Sequence, residues 1–181
     1  MQIRLATFDD IPALERLIEE SVRTLSIGFY TPQQIESSLT HVFGVDTQLI
    51  VDETYFVVEA EGQIAGCGGW SKRRTLYGGD QMKHEEDDLL DPKTEASRIR
   101  AFFIHPNFAR RGIGRMLLAA CEKAAGQAGF TALELGATLP GKPLYAACGF
   151  HVIEQIEATL PDGVTVPIIR MGKSILSIPG A

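Results

Sequence analysis

The stretch HPNFARRGIGRMLL, residues 105–118, changes character part-way along its length. The first half holds a proline and two adjacent arginines, whereas the second half has the apolar spacing of a helix. Gly112 and Gly114 stand where this helix begins, although glycine is a poor helix former. Some requirement at this turn therefore outweighs helix propensity.

Binding of an anion would be such a requirement. The first turn of a helix leaves several backbone N–H groups unpaired and carries a partial positive charge. Glycines let an anion approach these groups, and Arg110, Arg111 and Arg115 add positive charge. We interpret residues 110–115 as a site for phosphate or pyrophosphate. The alternative is a helix start at which glycine permits tight packing and the arginines are only solvated, and the local pattern alone does not decide between the two.

Two common phosphate-binding motifs fit this stretch poorly. A P-loop requires the triplet Gly-Lys-Ser/Thr at the turn, and residues 105–118 contain no such triplet. A Rossmann fingerprint places G-x-G-x-x-G after the first strand of a βαβ unit. Here only G-x-G occurs, late in the chain and after a predicted hairpin.

The composition excludes several classes of protein. The chain has 181 residues, 45% of them hydrophobic and 22% charged, which is typical of one globular domain with a sizeable core. A net charge of −6 argues against a nucleic-acid partner. No apolar run approaches the ~18 residues of a membrane span, and residues 1–17 lack a basic and apolar signal region. We therefore expect a cytoplasmic protein with no membrane partner.

The three cysteines carry no metal or disulfide pattern. Cys67, Cys121 and Cys148 are far apart in the sequence, odd in number and never spaced as C-x-x-C. We expect three reduced and mostly buried thiols, and no bound metal.

Hydrophobic periodicity predicts eleven elements in the order β-α-α-β-β-β-α-β-α-β-β, which describes a mixed α/β domain with a central sheet. The expected segments are a strand at 3–7, a helix after Asp9 or Asp10, a helix from Thr31-Pro32, strands at 55–60 and 63–71, a strand at 97–106, a helix at 111–126, a strand at 131–137, a short helix ending at Gly149, and two final strands joined by a turn at 161–163.

Two segments between these elements are unusual. Gly66, Gly68 and Gly69 weaken the strand at 63–71 and indicate a bulge or a close approach by another group. Residues 73–95 form a long, polar, strongly charged loop, which is typical of either a substrate lid or a mobile connection.

Two motifs, in order along the chain, resemble those of the GNAT superfamily of N-acetyltransferases. FFIHPNFARRGIGRMLL resembles the acetyl-CoA-binding motif of that family, and LYAACGF, residues 144–150, resembles its segment on the helix after the fifth strand. The element order agrees as well, so the resemblance covers essentially the whole chain. It implies a single GNAT-like domain over residues 1–181, with a mixed, mostly antiparallel central sheet flanked by helices.

The resemblance also implies where the donor binds. Backbone N–H groups of Arg110, Arg111, Gly112, Ile113, Gly114 and Arg115 would hold the pyrophosphate of CoA. Phe102, Phe103 and Ile104 would hydrogen-bond the pantetheine arm, and a backbone amide there would stabilise the oxyanion. Tyr145 matches the tyrosine that protonates the departing thiolate, since a phenol and a thiol have similar reference pKa values of about 10 and 8.5.

The sequence departs from the family pattern at three places. Ala109 stands where Gln or Arg is usual, and TLPGKPLY, residues 138–145, lacks the asparagine that often precedes the tyrosine. The strand before the phosphate turn reads Ser-Arg-Ile-Arg at 97–100 and lacks the glutamate that serves some members as general base. The candidate bases are Asp80, His84, Glu85 and Glu86 in the long loop, and Glu134 on the next strand, although each also fits a solvated surface residue.

The resemblance thus implies an enzyme that moves an acetyl group from acetyl-CoA directly to an amine, with no metal and no covalent enzyme intermediate. The acidic loop would attract a cationic amine, which favours a small-molecule acceptor. A CoA-binding sensor that has lost the chemistry is the main alternative, and an unrelated nucleotide binder is a third. Whether the chain forms a homodimer stays open.

Overall fold

In the part of the chain that the structure describes, seven strands, β1 to β7, form one sheet. A computed structural model describes residues 1–83 and 87–175. The strands are β1 (Gln2–Leu5), β2 (Tyr55–Ala60), β3 (Gln63–Ser71), β4 (Ser97–Ile104), β5 (Ala132–Ala137), β6 (His151–Thr159) and β7 (Thr165–Ser174), and the helices are α1 (Ile11–Leu25), α2 (Pro32–His41), α3 (Thr47–Val51), α4 (Ile113–Gln127) and α5 (Lys142–Ala147).

The order of strands in the sheet is β1-β2-β3-β4-β5-β7-β6. Every neighbouring pair is antiparallel except β4 and β5, which are parallel. The mixed, mostly antiparallel sheet that the sequence predicted is therefore confirmed. The predicted element order is confirmed too, apart from α3, a five-residue helix that the sequence analysis missed.

Helix boundaries follow from their capping residues. The Thr31 hydroxyl accepts a hydrogen bond from the Gln34 N–H at 3.1 Å, and the Gln34 side chain accepts one from the Thr31 N–H at 3.0 Å. This reciprocal capping box, with Pro32 in the first turn, starts α2 where the sequence predicted it. Within the described ranges, no helix combines the length and apolar character needed to cross a bilayer.

Helices cover both faces of the sheet. We call the face covered by α1 and α2 the α1 face, and the face covered by α4 and α5 the α4 face. The core on the α1 face includes Leu14, Leu17, Ile18, Val42, Leu49, Tyr55, Val57 and Cys67, all buried. The core on the α4 face includes Trp70, Leu118, Cys121, Phe130, Leu133, Leu135 and Tyr145. Cys67 and Cys121 are thus core thiols as expected, and Cys148 is half-buried.

The glycines of β3 allow close packing, as predicted. A Cβ atom on Gly66 would lie 2.7 Å from Cγ2 of Ile113, and one on Gly68 would lie 2.5 Å from the ring of Phe102. The pairing of β3 with β4 shifts register between Cys67 and Gly69. The prediction of a bulge and of a close approach at these glycines is therefore confirmed, and it brings the start of α4 directly onto the sheet.

A buried ion pair anchors the long connection between β3 and β4. Asp46 is fully buried and accepts hydrogen bonds from Arg100 at 2.9 Å and from Lys83. The Arg100 guanidinium also donates to the carbonyls of Thr75, at 2.9 Å, and Gly78. Because Arg100 belongs to β4, these bonds hold the described part of the connection against the sheet.

We expect the substitution Asp46→Ala to lower the free energy of unfolding by about 3–5 kcal/mol, because it leaves the buried Arg100 guanidinium without its counter-charge. Urea denaturation followed by circular dichroism measures the change. The matched control is Glu36→Ala, which removes the exposed partner of Arg23 and should alter stability little. Equal effects of the two substitutions would contradict a structural role for the buried pair.

Candidate active site

The parallel pair β4–β5 separates almost as soon as it forms. Its register contains only Ser97 opposite Leu133 and Arg98 opposite Glu134. Beyond these residues β4 continues to Ile104 and β5 to Ala137 without pairing to each other. We call the position after Arg98 and Glu134 the splay point. Beyond it, the facing edges of the two strands do not pair with each other, and on β4 the Ile104 N–H bonds the Ser21 side chain instead.

A strained residue marks the splay point on β4. Ala101 has a φ of +53°, in the left-handed region that residues with a side chain rarely adopt. It lies where the register between β3 and β4 shifts, and therefore belongs to a β-bulge. Sparsely populated backbone conformations of this kind concentrate at functional sites.

The alternation of β4 after the bulge distributes the three predicted pantetheine-binding residues over two faces. The Phe102 ring packs on the α4 face, 6.2 Å from the ring of Tyr145. The Phe103 ring packs on the α1 face, 5.8 Å from the ring of Phe43. The backbone N–H of Ile104 donates to the Ser21 hydroxyl at 3.3 Å. The structure thus brings Phe102 and Tyr145 together and sends Phe103 to the opposite side of the sheet.

The turn before α4 presents a row of free backbone donors. Arg110 and Gly112 have φ values of +67° and +86°, and the N–H groups from Arg110 to Arg115 donate to no acceptor among the described residues. Gly112 is the N-cap and has no side-chain cap. A Cβ atom on Gly112 would meet nothing within 4 Å. The row is therefore accessible, and its binding of an anion stays a prediction.

The arginines of this turn differ in their surroundings. Arg111 lies over the Phe108 ring, with 5.0 Å between its guanidinium carbon and the ring centroid, and pairs with Glu61 at 3.2 Å. Arg110 and Arg115 are exposed and have no ion-pair partner within the described ranges. These two side chains are thus free to meet a negatively charged ligand. The Gly-Lys-Ser triplet of residues 172–174 lies in β7 and not at a helix start, so it is not a P-loop.

Tyr145 lies on α5 within an aromatic cluster on the α4 face. Its ring is 6.2 Å from that of Phe102 and 5.8 Å from that of Phe150, and the residue is 8% exposed. Its hydroxyl forms no hydrogen bond with any described residue. Burial raises the pKa of Tyr145 well above the ordinary value, so the phenol keeps its proton at physiological pH.

The described candidate bases are already engaged. The Glu134 carboxylate accepts hydrogen bonds from Arg98 at 3.0 Å and from Arg170 at 2.8 Å. The Asp80 carboxylate accepts one from the Thr47 N–H at 3.0 Å and so fixes the start of α3. Both carboxylates therefore have structural partners. His84, Glu85 and Glu86 lie outside the described residues, and no group of metal-ligating side chains occurs in the part of the chain that is described.

One residue at this end of the sheet was missed by the sequence analysis. The Tyr30 hydroxyl donates to the carbonyl of Pro167 at 3.0 Å and accepts from the N–H of Leu139 at 2.9 Å. It thereby ties the end of β5 to β7. No local sequence signal could have found it, since its partners are more than 100 residues away along the chain.

The comparison with known families identifies the fold. The model of the acetyltransferase (GNAT) family matches residues 16–150 of the chain. The chain belongs to the acetyltransferase (GNAT) family. The GNAT assignment covers both the splayed strands and the turn at 110–115, and it ends at Phe150, next to the Tyr145 cluster.

Solved GNAT structures share this architecture. A GCN5-related N-acetyltransferase from Rhodopseudomonas palustris superposes with a TM-score of 0.72 at 17% identity, over 96% of this chain and 95% of that one. The PaiA N-acetyltransferase of Thermoplasma acidophilum, solved with coenzyme A, superposes with a TM-score of 0.64 at 15% identity, over 96% of this chain and 98% of that one. The Salmonella typhimurium protein yncA, solved with its cofactor acetyl-CoA, superposes with a TM-score of 0.61 at 16% identity, over 100% of this chain and 97% of that one. No curated protein sequence matches the chain.

The tyrosines of this GNAT domain predict how the stability of the fold depends on pH. Burial raises the pKa of Tyr145, and likewise of the other three tyrosines, Tyr30, Tyr55 and Tyr77. Above about pH 10, where an unfolded tyrosine ionises, the folded chain binds more protons than the unfolded one. Stability should therefore be complete below about pH 10 and fall as the pH rises further.

The absorbance of tyrosinate during an alkaline titration measures this difference. We expect the folded protein to titrate above about pH 10 and the protein in urea to titrate near that value. A tyrosine that ionises at an ordinary pH in the folded protein would contradict the burial of its hydroxyl.

Proposed function

We propose that this GNAT domain, residues 1–181, transfers an acetyl group from acetyl-CoA directly to the nitrogen of a small-molecule amine. The observation that carries the proposal is the geometry of the splay point. Free backbone donors at residues 110–115 lie on one side of it, and the Tyr145 cluster lies on the α4 face beside it. Coenzyme A and acetyl-CoA in two solved structures of the same fold support the choice of donor.

The residues at the start of α4 suit the pyrophosphate of CoA. Backbone N–H groups from Arg110 to Arg115 have no described partner to displace, and Gly112 leaves their approach open. The exposed Arg110 and Arg115 add positive charge to that of the helix terminus. Binding there would place the donor along the open edge of β4.

The open edge of β4 would align the pantetheine arm. The His105 N–H donates to the Ala65 carbonyl on β3 at 3.0 Å, so by the alternation of a strand Ile104 and Phe102 direct their backbone groups to the other edge. The Phe102 N–H is next to the strained Ala101. In this position it would act as the donor to the oxyanion that forms on the thioester carbonyl.

Tyr145 would face the departing sulfur. Acetyl-CoA supplies a thioester carbonyl; the amine nitrogen attacks this carbon, the carbon–sulfur bond breaks, and the amine loses a proton. Burial raises the pKa of Tyr145 above that of a thiol, which is about 8.5. The phenol is therefore protonated at physiological pH and stabilises the thiolate as a hydrogen-bond donor, and the thiolate takes up a proton from water as CoA leaves.

The proton of the amine would leave through water. Glu134 and Asp80 are both held by structural partners, so neither is free to act as a base. The net charge of −6 favours the approach of cationic amines. The engagement of both carboxylates also favours the second candidate function, a CoA-binding sensor without catalysis.

Release of free thiol from acetyl-CoA in the presence of a panel of primary amines separates the two functions. The enzyme should release thiol with at least one amine and form the corresponding amide, detected by mass spectrometry. If CoA raises the melting temperature but no amine yields thiol, the sensor function holds and the enzymatic one fails. Stabilisation by ATP or NAD but not by CoA would contradict both.

We expect Gly112→Val to weaken CoA binding at least tenfold, because the new side chain would project into the space that the pyrophosphate must enter. Isothermal titration calorimetry measures the affinity. The control is Gly163→Val, since Gly163 has a similar φ of +84° and open space around it in the β6–β7 turn. Both variants carry similar backbone strain, so a comparable loss of CoA affinity in both would place the pyrophosphate elsewhere.

We expect Tyr145→Phe to lower kcat by about 10- to 100-fold, because it removes one hydrogen bond to the charged thiolate. The affinity for CoA should stay within about twofold of the wild-type value. Steady-state kinetics and calorimetry provide the two numbers. Cys148→Ser is the control on the same helix end and should keep full activity, because no nucleophilic thiol is required. Full activity of Tyr145→Phe would remove Tyr145 from the reaction.

A further inference from the structure

Tyr77 packs against β5 just beyond the splay point. A Cβ atom on Gly136 would lie 3.2 Å from Cδ1 of Tyr77 and 3.3 Å from its Cβ, so the tyrosine lies over the bare backbone of Gly136. Gly136 is two residues beyond Glu134, the last residue of β5 that pairs with β4. The side chain of Tyr77 therefore lies where the two strands begin to diverge.

The face of the sheet that Tyr77 occupies is opposite to that of Tyr145. Leu133, Leu135 and Ala137 belong to the core on the α4 face, so the alternation of β5 turns Gly136 toward the α1 face. Tyr77 packs against the core on the α1 face. The splay point is thus flanked by one tyrosine on each face.

The backbone around Tyr77 is held by buried charge. The Arg100 guanidinium donates to the carbonyls of Thr75 and Gly78, which stand on either side of Tyr77 in the chain. Arg100 is 2% exposed and is neutralised by the fully buried Asp46. Next to these hydrogen bonds of Arg100, the Gly79 N–H donates to the Val42 carbonyl at 2.7 Å. Tyr77 is therefore fixed in place before any ligand binds, which is the condition for a precise binding residue.

Among the described residues, the Tyr77 hydroxyl has no hydrogen-bond partner, unlike the other two tyrosine hydroxyls of the α1 face. On the α1 face, the Tyr55 hydroxyl donates to Cys67 Sγ at 3.2 Å, and Tyr30 bonds two backbone groups. The Tyr77 hydroxyl forms no hydrogen bond with any described residue. Burial raises the pKa of Tyr77, so the hydroxyl is neutral at physiological pH and keeps lone pairs that can accept an N–H.

We propose that Tyr77 is the acceptor-binding residue of the α1 face: its ring forms a wall beside the acetyl group, and its hydroxyl accepts a hydrogen bond from the attacking amine. This inference rests on the proposed function. Tyr77 packs against the core of the α1 face, as do the apolar side chains of Met82, Phe103 and Leu139. Glu134 and Arg170 lie on the same face beside Gly136 and are paired with each other. The acceptor that fits this combination is a primary amine on an apolar carbon chain.

These surroundings also bear on how the amine loses its proton. Burial in an apolar environment disfavours the charged ammonium form and lowers the pKa of the amine. An amine placed between Tyr77 and the apolar groups of this face would be shifted toward its neutral form, since the nearby Glu134 carboxylate is already paired with Arg98 and Arg170. The reaction then needs no carboxylate base, in agreement with the engagement of Glu134 and Asp80 by structural partners.

Fluorine NMR of protein labelled with fluorotyrosine tests the placement without any acceptor. The chain has four tyrosines, so four resonances can be assigned from the four single Tyr→Phe variants. We expect CoA to shift the resonance of Tyr145 and leave that of Tyr77, and acetyl-CoA to shift both, because only the acetyl group reaches the α1 face. A Tyr145 shift without any Tyr77 shift in acetyl-CoA would overturn the inference and leave donor binding intact. No shift of either resonance would overturn the proposed function and this inference with it.

Kinetics with hexylamine test the role of the hydroxyl. We expect Tyr77→Phe, which keeps the ring, to raise KM for hexylamine about 3- to 10-fold, as the loss of one hydrogen bond would, while KM for acetyl-CoA stays the same. A variant that only loosened the fold would change both constants and the melting temperature. Unchanged KM for hexylamine, or a wild-type protein that acetylates glycinamide but not hexylamine, would overturn the inference.

Discussion

The separation of β4 from β5 after two residue pairs is the constraint on which the rest of the molecule depends. A sheet that continued its ladder would use the outer edge of β4 internally, and no backbone group would remain for a ligand. The bulge at Ala101 and the close packing of Ile113 on Gly66 both belong to this separation, since one ends the regular strand and the other brings the start of α4 beside the open edge.

Maintaining the separation requires stabilising contacts elsewhere. Ala101 has an unfavourable backbone conformation, and such residues persist only where surrounding contacts determine them. The Tyr55 hydroxyl lies 3.4 Å from the Ala101 carbonyl, and the adjacent Arg100 is locked by Asp46 and two loop carbonyls. On the far strand, Tyr30 fixes the end of β5 to β7. The contacts that hold β4 and β5 apart from each other therefore lie on the α1 face.

The two faces of the splay point offer different chemistry. On the α4 face lie the N–H groups of residues 110–115, which have no acceptor among the described residues, and the buried side chain of Tyr145. On the α1 face, the hydroxyls of Tyr55 and Tyr30 and the Arg100–Asp46 pair form hydrogen bonds, whereas the Tyr77 hydroxyl and Arg100 Nε have no hydrogen-bond partner among the described residues. This asymmetry agrees with the proposal that an anionic donor and a neutral amine approach one carbon from opposite faces of the sheet.

The sequence by itself determined the local features: the element order, the capping box of α2, the crowded glycines of β3 and the glycine-containing turn at 110–115 that starts α4. Each depends on residues near one another in the chain, where propensity, capping and glycine geometry act directly. Sequence patterns missed the short α3. They could not reveal the Ala101 bulge, the buried ion pair of Arg100 with Asp46, or the placement of Tyr77 and Tyr145 on opposite faces of the sheet. Only the tertiary structure decided these, because they arise from contacts between distant segments and from the face on which each strand residue lies.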